Sequence, residues 1–197
     1  MASVAIVIPT LSEKRGSLVG GLAMTTAGCH VPYELIVSAD SERRGFSKTV
    51  NAGIRRSRPD ADICILNDDV SGFQFGWLEM LRRVLYFDNR YGLTCPSGRS
   101  AANPMNSGRP GMLGLQVVEQ ASFWCVLLKR AMIDELGVLD ERFIHYCSDN
   151  WYCICMKKRG WKIVWVKSVY LEHRHHGSGI PGKWKQHDQA EFRRRLG

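Results

Sequence analysis

Short apolar segments rich in β-branched residues alternate with segments of helical periodicity along most of the chain. The first three apolar runs cover residues 4–9, 34–39 and 63–66, and a helix-sized stretch separates each run from the next. Strands buried in a parallel sheet read as continuous apolar runs, and the helices between them cover the sheet on both sides. The pattern therefore predicts an α/β fold with a mainly parallel, mixed sheet flanked by helices.

The size of the chain fits a single domain. It has 197 residues, of which 45% are hydrophobic and 23% are charged, and this is enough to bury a core. The longest uncharged apolar run, residues 121–128, is far short of the ~20 residues that a membrane-spanning helix needs. The first ten residues lack the basic segment of a secretory signal. Seven cysteines without a CxxC pair are typical of reduced thiols, so we expect a cytoplasmic protein.

The net charge of +8 is concentrated near the end of the sequence. Residues 157–197 hold 11 Lys and Arg against 3 Asp and Glu, whereas residues 1–156 hold 16 of each kind. A basic segment of this sort attracts the phosphate groups of nucleotides, nucleic acid or anionic lipid. A solvated basic tail without a partner explains the same composition, and both interpretations are open at this point.

Polar residues follow three of the predicted strands. They are Pro9-Thr10, Asp40 and the triplet Asn67-Asp68-Asp69. Ligands of open α/β sheets bind beyond the carboxyl ends of the strands, so these residues are candidates for one shared site. A divalent cation would stabilise the two adjacent carboxylates, and oxygen ligands of this kind suit Mg²⁺ or Mn²⁺. An ordinary acidic turn is the alternative explanation of the triplet.

Asp149 is a second candidate for chemistry. It follows Ser148 at the predicted start of a helix, where the helix dipole favours an ionised carboxylate. If this carboxylate faces a cleft, it could act as a general base. Acidic residues are also common at helix starts for structural reasons alone.

Three histidines, His173, His175 and His176, lie near the end of the last predicted strand. One neutral imidazole could complete a cation site that begins with Asp69. The histidines and Cys147 could instead bind zinc, but the spacing that is usual for zinc ligands is missing.

Six segments follow one another in an order that is typical of one enzyme family. They are VAIVIPTLSE, ELIVSADSE, GFSKTVNAGI, ADICILNDDV, GVLDERFIHYCSDNWYCICMKKRGWKIVWV and VYLEHRHHGS. Over roughly residues 3–178, the chain resembles the family 2 glycosyltransferases, which are inverting enzymes with the GT-A fold. It is most similar to the small rhamnosyl- and galactosyltransferase-like members. The resemblance rests on the order of the six segments rather than on any one of them.

The resemblance implies one GT-A-type, Rossmann-like domain over residues 1–178, followed by a basic C-terminal tail over residues 179–197. Within the domain, residues 1–95 would be the nucleotide-sugar-binding half and residues 96–178 the acceptor and catalytic half. The implied activity is the inverting, nonprocessive and metal-dependent transfer of a sugar from a nucleotide-diphosphate sugar to an acceptor hydroxyl. The expected acceptor is a glycan or a glycolipid.

The resemblance also implies roles for individual residues. Asp149 would be the catalytic base, and Asp69 would bind Mn²⁺ or Mg²⁺ with His173 as a further metal or phosphate contact. Asp40 would contact the base or ribose of the donor, and Asp68 the ribose or the waters of the metal. The other expected donor-binding residues are Pro9, Thr10, Glu13 and Asn51.

The sequence departs from the family pattern at several positions. Ala39 stands where the first of two acids is usual, Asn67 replaces a frequent Asp, and Ser148 replaces the common Glu before the base. The absence of a Gln-x-x-Arg-Trp segment and of a membrane span argues against a processive polysaccharide synthase. The acceptor site would have to be small, built from the 96–116 loop and the basic tail.

Two other functions are compatible with parts of the sequence. A nucleotidyltransferase that makes nucleotide sugars can share this architecture, although it favours a glycine-rich phosphate loop, and PTLSEKRGS has a single glycine. A non-enzymatic module could dock its basic tail on anionic membrane or nucleic acid. The neutral body with an acidic site argues against nucleic acid as a ligand, so we expect none. Peripheral contact with the inner membrane surface through the tail stays open.

Overall fold

The structure is a computed structural model that describes residues 3–28, 32–99, 106–173 and 180–197. Within these residues it has eight strands and six helices. The strands are β1 (Val4–Thr10), β2 (Tyr33–Ala39), β3 (Asp62–Leu66), β4 (Val70–Ser71), β5 (Tyr91–Gly98), β6 (Leu115–Val118), β7 (Cys125–Leu128) and β8 (Lys162–His173). The helices are α1 (Glu13–Thr26), α2 (Phe46–Arg56), α3 (Trp77–Leu85), α4 (Arg130–Leu136), α5 (Ser148–Lys158) and α6 (Gly182–Leu196).

The strands form one mixed sheet in the order β2-β1-β3-β7-β5-β8-β4, and β6 pairs with β8 outside this path. Strand β1 pairs in parallel with β2 and β3, and β5 pairs in parallel with β8. Strand β7 is antiparallel to both of its neighbours, β3 and β5. The carboxyl ends of β1, β2 and β3 therefore lie at one edge of the sheet, as the sequence predicted.

Helices cover both faces of the sheet, and this confirms the predicted fold class. All residues of β1 are buried, with Ala5 and Val7 in the core that also contains residues of α2, α4 and α5. Val4, Ile6 and Ile8 belong to the other core, beneath α1 and α3. Successive side chains of a strand point to opposite faces, so an uninterrupted apolar strand needs apolar partners on each side.

Several elements differ from the sequence prediction in extent. The apolar run 121–128 indicates a buried strand, but β7 begins only at Cys125, and the apolar runs 163–166 and 169–172 belong to one continuous strand, β8. Helix α1 begins at Glu13, and its Ser12 cap accepts a hydrogen bond from the N–H of Arg15. Gly20 in α1 serves packing, because a Cβ at this position would lie 2.6 Å from the Leu35 side chain of β2.

Residues 180–197 of the predicted basic tail include the long helix α6, which packs against the domain. The side chain of Asp188, in the middle of α6, has no exposed surface. The predicted boundary between residues 178 and 179 lies outside the described residues, as do His175 and His176, and the division at residue 95 stays a prediction. No helix in the described ranges is both long enough and apolar enough to cross a membrane.

Candidate functional site

A cleft of about 1230 Å³ opens at the carboxyl ends of β1 and β3. Its walls come from these strand ends, from the segment before β7, from the start of α5 and from the first half of α6. Most of the residues that the sequence singled out line it together: Pro9, Thr10, Asp40, Asp68, Asp69, Asp149 and His173. Residues more than a hundred positions apart in the chain thus share one opening.

The loop after β3 forms one end of the cleft. Its path is held by Asn67, whose backbone N–H donates to the carbonyl of Trp124 at 2.8 Å. The hydroxyl of Thr10, at the end of β1, donates to Asp68 Oδ2 at 2.5 Å, and Arg15 Nη1 lies 4.0 Å from the same oxygen. Asp68 is therefore fixed by groups at the end of β1 and in the first turn of α1.

Asp69 and His173 lie side by side at the same end of the cleft. Strand β4 runs antiparallel to the end of β8, with Val70 opposite His173, and this brings Asp69 next to the imidazole. His173 Nε2 lies 3.1 Å from Asp69 Oδ1, and the two side chains are only 5% and 13% exposed. The indole of Trp124 stacks on the imidazole with a centroid distance of 5.1 Å and an interplanar angle of 9°.

This pair fits part of a divalent cation site. Apart from its contact with His173 Nε2, the buried Asp69 Oδ1 accepts no hydrogen bond from the described residues, and imidazole nitrogen is a common metal ligand. Two ligand atoms each ~2.1 Å from one ion, at a right angle, are about 3 Å apart, which is compatible with the observed separation. Without an ion, the same distance suits a direct imidazole–carboxylate contact. The described residues contain no group of three or more His, Cys, Asp or Glu side chains arranged around a metal position.

Asp149 lies at the start of α5 and lines the cleft with its partly buried side chain. The preceding Cys147 is the N-cap, with a left-handed φ of 62° that non-glycine residues rarely adopt. The carboxylate accepts hydrogen bonds from the backbone N–H groups of Asn150, at 2.9 Å, and Phe123. Burial raises the pKa of Asp149 above its ordinary value, and these two donors only partly oppose the effect.

The segment before β7 connects Asp149 with the Asp69–His173 pair. The N–H of Phe123 donates to Asp149, while the carbonyl of the next residue, Trp124, accepts from the loop that carries Asp69. The Trp124 ring also packs on His173. The apolar composition of residues 121–128 indicates a buried strand and gives no sign that Phe123 and Trp124 line the site, although this aromatic pair could have been a signal.

Asp40 lines the cleft, but its carboxylate is engaged in organising a loop. One oxygen accepts the N–H of Arg44 at 2.7 Å and the other accepts the N–H of Gly45 at 2.8 Å. Gly45 has a φ of 101°, and a Cβ there would collide with the carbonyl of Ile144. Asp40 therefore shapes the loop that leads into α2, and its predicted contact with the donor stays a prediction.

Two predicted donor-binding residues, Asn51 and Glu13, do not line the cleft, and their predicted contacts with the donor stay predictions. Asn51 in α2 is completely buried, donates to the carbonyl of Leu139 at 2.8 Å and accepts the N–H of the same residue at 3.0 Å. It also donates to Glu141 Oε1 at 3.0 Å. Asn51 thus joins α2 to the chain after α4. Glu13 is exposed in the first turn of α1 and does not line the cleft.

Helix α6 forms a wall of the cleft, and it lies in the segment that the sequence predicted as a basic tail contributing to the acceptor site. The cleft is lined on this side by Pro181, Trp184, Lys185 and Gln189, and α6 packs directly on the loop that contains His145 and Tyr146. The helical spacing of Trp184, Lys185 and Gln189 could have indicated a single inward face. The zinc alternative combines Cys147 with His173, His175 and His176, and the last two of these histidines lie outside the described residues.

Comparisons with known proteins show the fold. No model of a known family matches the chain, and no curated protein matches it. Among solved structures, the chain is similar to A197 from STIV, with 12% identity and a TM-score of 0.55 over 87% of this chain and 85% of that one. It is also similar to GalNAc-T7, solved with UDP, GalNAc and Mn²⁺, with 11% identity and a TM-score of 0.64. That match covers 92% of this chain but 45% of GalNAc-T7, so the chain spans less than half of the larger protein. The shared architecture with GalNAc-T7 is the GT-A fold.

Proposed function

We propose that this protein is an inverting, nonprocessive glycosyltransferase that moves a sugar from a nucleotide-diphosphate sugar to an acceptor hydroxyl. The observation that carries the proposal is that Asp149 and the Asp69–His173 pair line one cleft and are joined through residues 123 and 124. The neighbour GalNAc-T7, which has the same fold, was solved with UDP, GalNAc and Mn²⁺. This supports a nucleotide-sugar donor and a divalent metal for the present cleft.

Asp149 is the proposed general base. An inverting transfer is a single displacement at the anomeric carbon, and the acceptor hydroxyl must lose its proton on the face opposite the leaving diphosphate. The carboxylate removes this proton as the new C–O bond forms and the bond to the diphosphate breaks. Its raised pKa makes it a stronger base than an exposed Asp, yet leaves it ionised when the pH is above that value.

The diphosphate end of the donor is assigned to the opposite side of the cleft. Asp69 and His173 would hold Mn²⁺ or Mg²⁺, which as a Lewis acid offsets the charge that develops on the leaving diphosphate. Thr10 and Asp68 would orient the ribose, and their mutual hydrogen bond fixes both side chains beforehand. The cations Arg15 and Arg43 also line the cleft, and their charge favours an anionic donor.

The acceptor is assigned to the wall formed by α6. Trp184 is half-buried there and offers an aromatic face on which a sugar ring can pack, with Lys185 beside it. A glycan or glycolipid suits such a surface. With a glycolipid, the basic α6 would also meet an anionic membrane surface, and we propose this peripheral contact for a cytoplasmic enzyme.

Nucleotide binding and turnover test this function directly. Thermal unfolding is measured with UDP, GDP and dTDP, each with and without Mn²⁺, and the proposal predicts a metal-dependent rise for at least one nucleotide. A panel of nucleotide sugars is then screened for slow donor hydrolysis, with release of nucleoside diphosphate as the signal. Release of pyrophosphate from a nucleoside triphosphate and a sugar phosphate would instead indicate a nucleotidyltransferase. No response to any nucleotide, together with binding to anionic vesicles or DNA, would point to the non-enzymatic module.

A further inference from the structure

Three consecutive backbone N–H groups of the loop before α5 converge on one carboxylate of α6. Asp188 Oδ1 accepts the N–H of Ile144, and Oδ2 accepts those of His145 and Tyr146, each at 2.8 Å. Asp188 has no exposed surface and does not line the cleft. His187 Nδ1 lies 3.0 Å from Asp188 Oδ1 as a fourth polar neighbour.

In its charged form, the carboxylate of Asp188 is suited to hold this loop. Burial alone would raise the pKa of Asp188, but the three backbone donors and His187 outweigh burial and lower the pKa below its ordinary value. Successive backbone N–H groups that point into one concavity form an anion-binding nest. Here the chain's own C-terminal helix supplies the anion.

The loop held by Asp188 leads directly into the proposed catalytic base. His145 and Tyr146 line the cleft, Cys147 follows in the left-handed region, and Asp149 comes two residues later in the first turn of α5. On its other side, the loop is held by the start of α2, where the N–H of Ser47 donates to the carbonyl of Ile144 at 3.3 Å. Asp188 supplies the larger number of these contacts.

We propose that Asp188 is a positioning residue, which acts through residues 144–146 to set the carboxylate of Asp149 over the cleft. This inference rests on the proposed function, because it assigns Asp149 the role of base. Displacement of a catalytic group by about 1 Å can lower a rate ~10²-fold, so the loss of three hydrogen bonds so close to the base is expected to reduce turnover.

The rest of α6 has an anchor of its own, which makes a substitution of Asp188 interpretable. Arg195 is 9% exposed and pairs with Asp140 at 2.9 Å, and its guanidinium lies over the rings of Phe143 and Trp151 at 5.3 and 4.8 Å. Glu191 also pairs with Arg195, at 2.7 Å, but no hydrogen bond joins it to residues 144–146. Glu191→Gln is therefore a matched control, since it removes a carboxylate from the same helix without touching the loop.

The experiment compares Asp188→Asn with Glu191→Gln. For Asp188→Asn we expect faster hydrogen exchange at the amides of Ile144, His145 and Tyr146, a kcat that is about 10- to 100-fold lower, and an unchanged KM for the donor. For Glu191→Gln we expect wild-type kcat and wild-type exchange at these amides. If Asp188→Asn does not fold, Asp188→Glu takes its place, because it keeps the charge but displaces the carboxylate, and the same selective loss of kcat is expected.

Two results would overturn the inference. One is a wild-type kcat in the Asp188 variant, whether or not the amides lose protection. The other is an equal fall of kcat in both variants, which would indicate general destabilisation. Failure of the proposed function looks different, because the wild-type protein itself would then turn over no nucleotide sugar.

Discussion

Replacement of Asp149 by Asn is expected to lower activity and raise stability at the same time. The substitution preserves the size of the side chain, and the amide oxygen can still accept the N–H of Asn150 that the carboxylate binds now. Removal of a general base costs ~10²–10⁴-fold in rate. At 1.36 kcal/mol per tenfold, this corresponds to about 2.7–5.4 kcal/mol of activation free energy.

The direction of the stability change follows from the pKa of Asp149. Burial raises this pKa in the folded protein, so the folded state binds the proton more tightly than the unfolded chain does. The free energy of unfolding therefore decreases as the pH rises from the unfolded to the folded pKa, and the decrease is complete above the folded value. At pH 7 the neutral Asn avoids this cost, and Tm should rise.

The assay measures nucleoside diphosphate release against pH, together with thermal unfolding at pH 7. In the wild-type protein the rate should fall as the pH drops through the raised pKa of Asp149, whereas the residual rate of Asp149→Asn should lack this acid limb. Asp134→Asn is the control, because Asp134 is exposed on α4, away from the cleft. A variant rate within threefold of the wild-type rate, or an acid limb that persists in Asp149→Asn, would refute the assignment of the base.

Three further predictions address other parts of the site. Nucleotide-induced stabilisation, measured by thermal unfolding, should need at least tenfold more Mn²⁺ to reach half its maximum in His173→Ala. An unchanged Mn²⁺ titration would show that His173 does not bind the cation. Asn51→Ala should lower the free energy of unfolding by about 2–4 kcal/mol in urea, because both backbone groups of Leu139 lose their partner, while nucleotide affinity persists. A loss of nucleotide affinity without a fall in the free energy of unfolding would support the predicted contact of Asn51 with the donor. Trp184→Ala should raise the KM for the acceptor and leave the donor KM unchanged, and a selective change in donor KM would contradict the assignment of α6.

The sequence was informative wherever a local pattern determines a position in space. Apolar runs predict the main strands, and the rule that ligands bind beyond strand ends places Thr10, Asp40 and Asp69 at one edge of the sheet. The start of α5, and with it Asp149, followed from its helical pattern. Each of these patterns is local in the sequence. The parallel arrangement of β1, β2 and β3 brings the residues at their carboxyl ends into one shared site.

Contacts between distant segments could not be read in the same way. Nothing adjacent to Asn51 reveals that its amide binds Leu139, and nothing near Asp188 reveals the three N–H groups of residues 144–146. The residues 121–124 are as apolar as the strand that follows them, so their composition concealed a loop that lines the cleft. In each case, long-range packing decided the role of the side chain.

The cleft draws its walls from nearly the whole described length of the chain, with Thr10 near one end and Trp184 near the other. During synthesis on the ribosome, the first strands can pair well before the last helix is made, but the loop of residues 144–146 gains its carboxylate partner only when Asp188 has left the exit tunnel. The nascent protein therefore passes through a stage with a nearly complete sheet and an incomplete cleft. The proposed activity should begin only after α6 has docked.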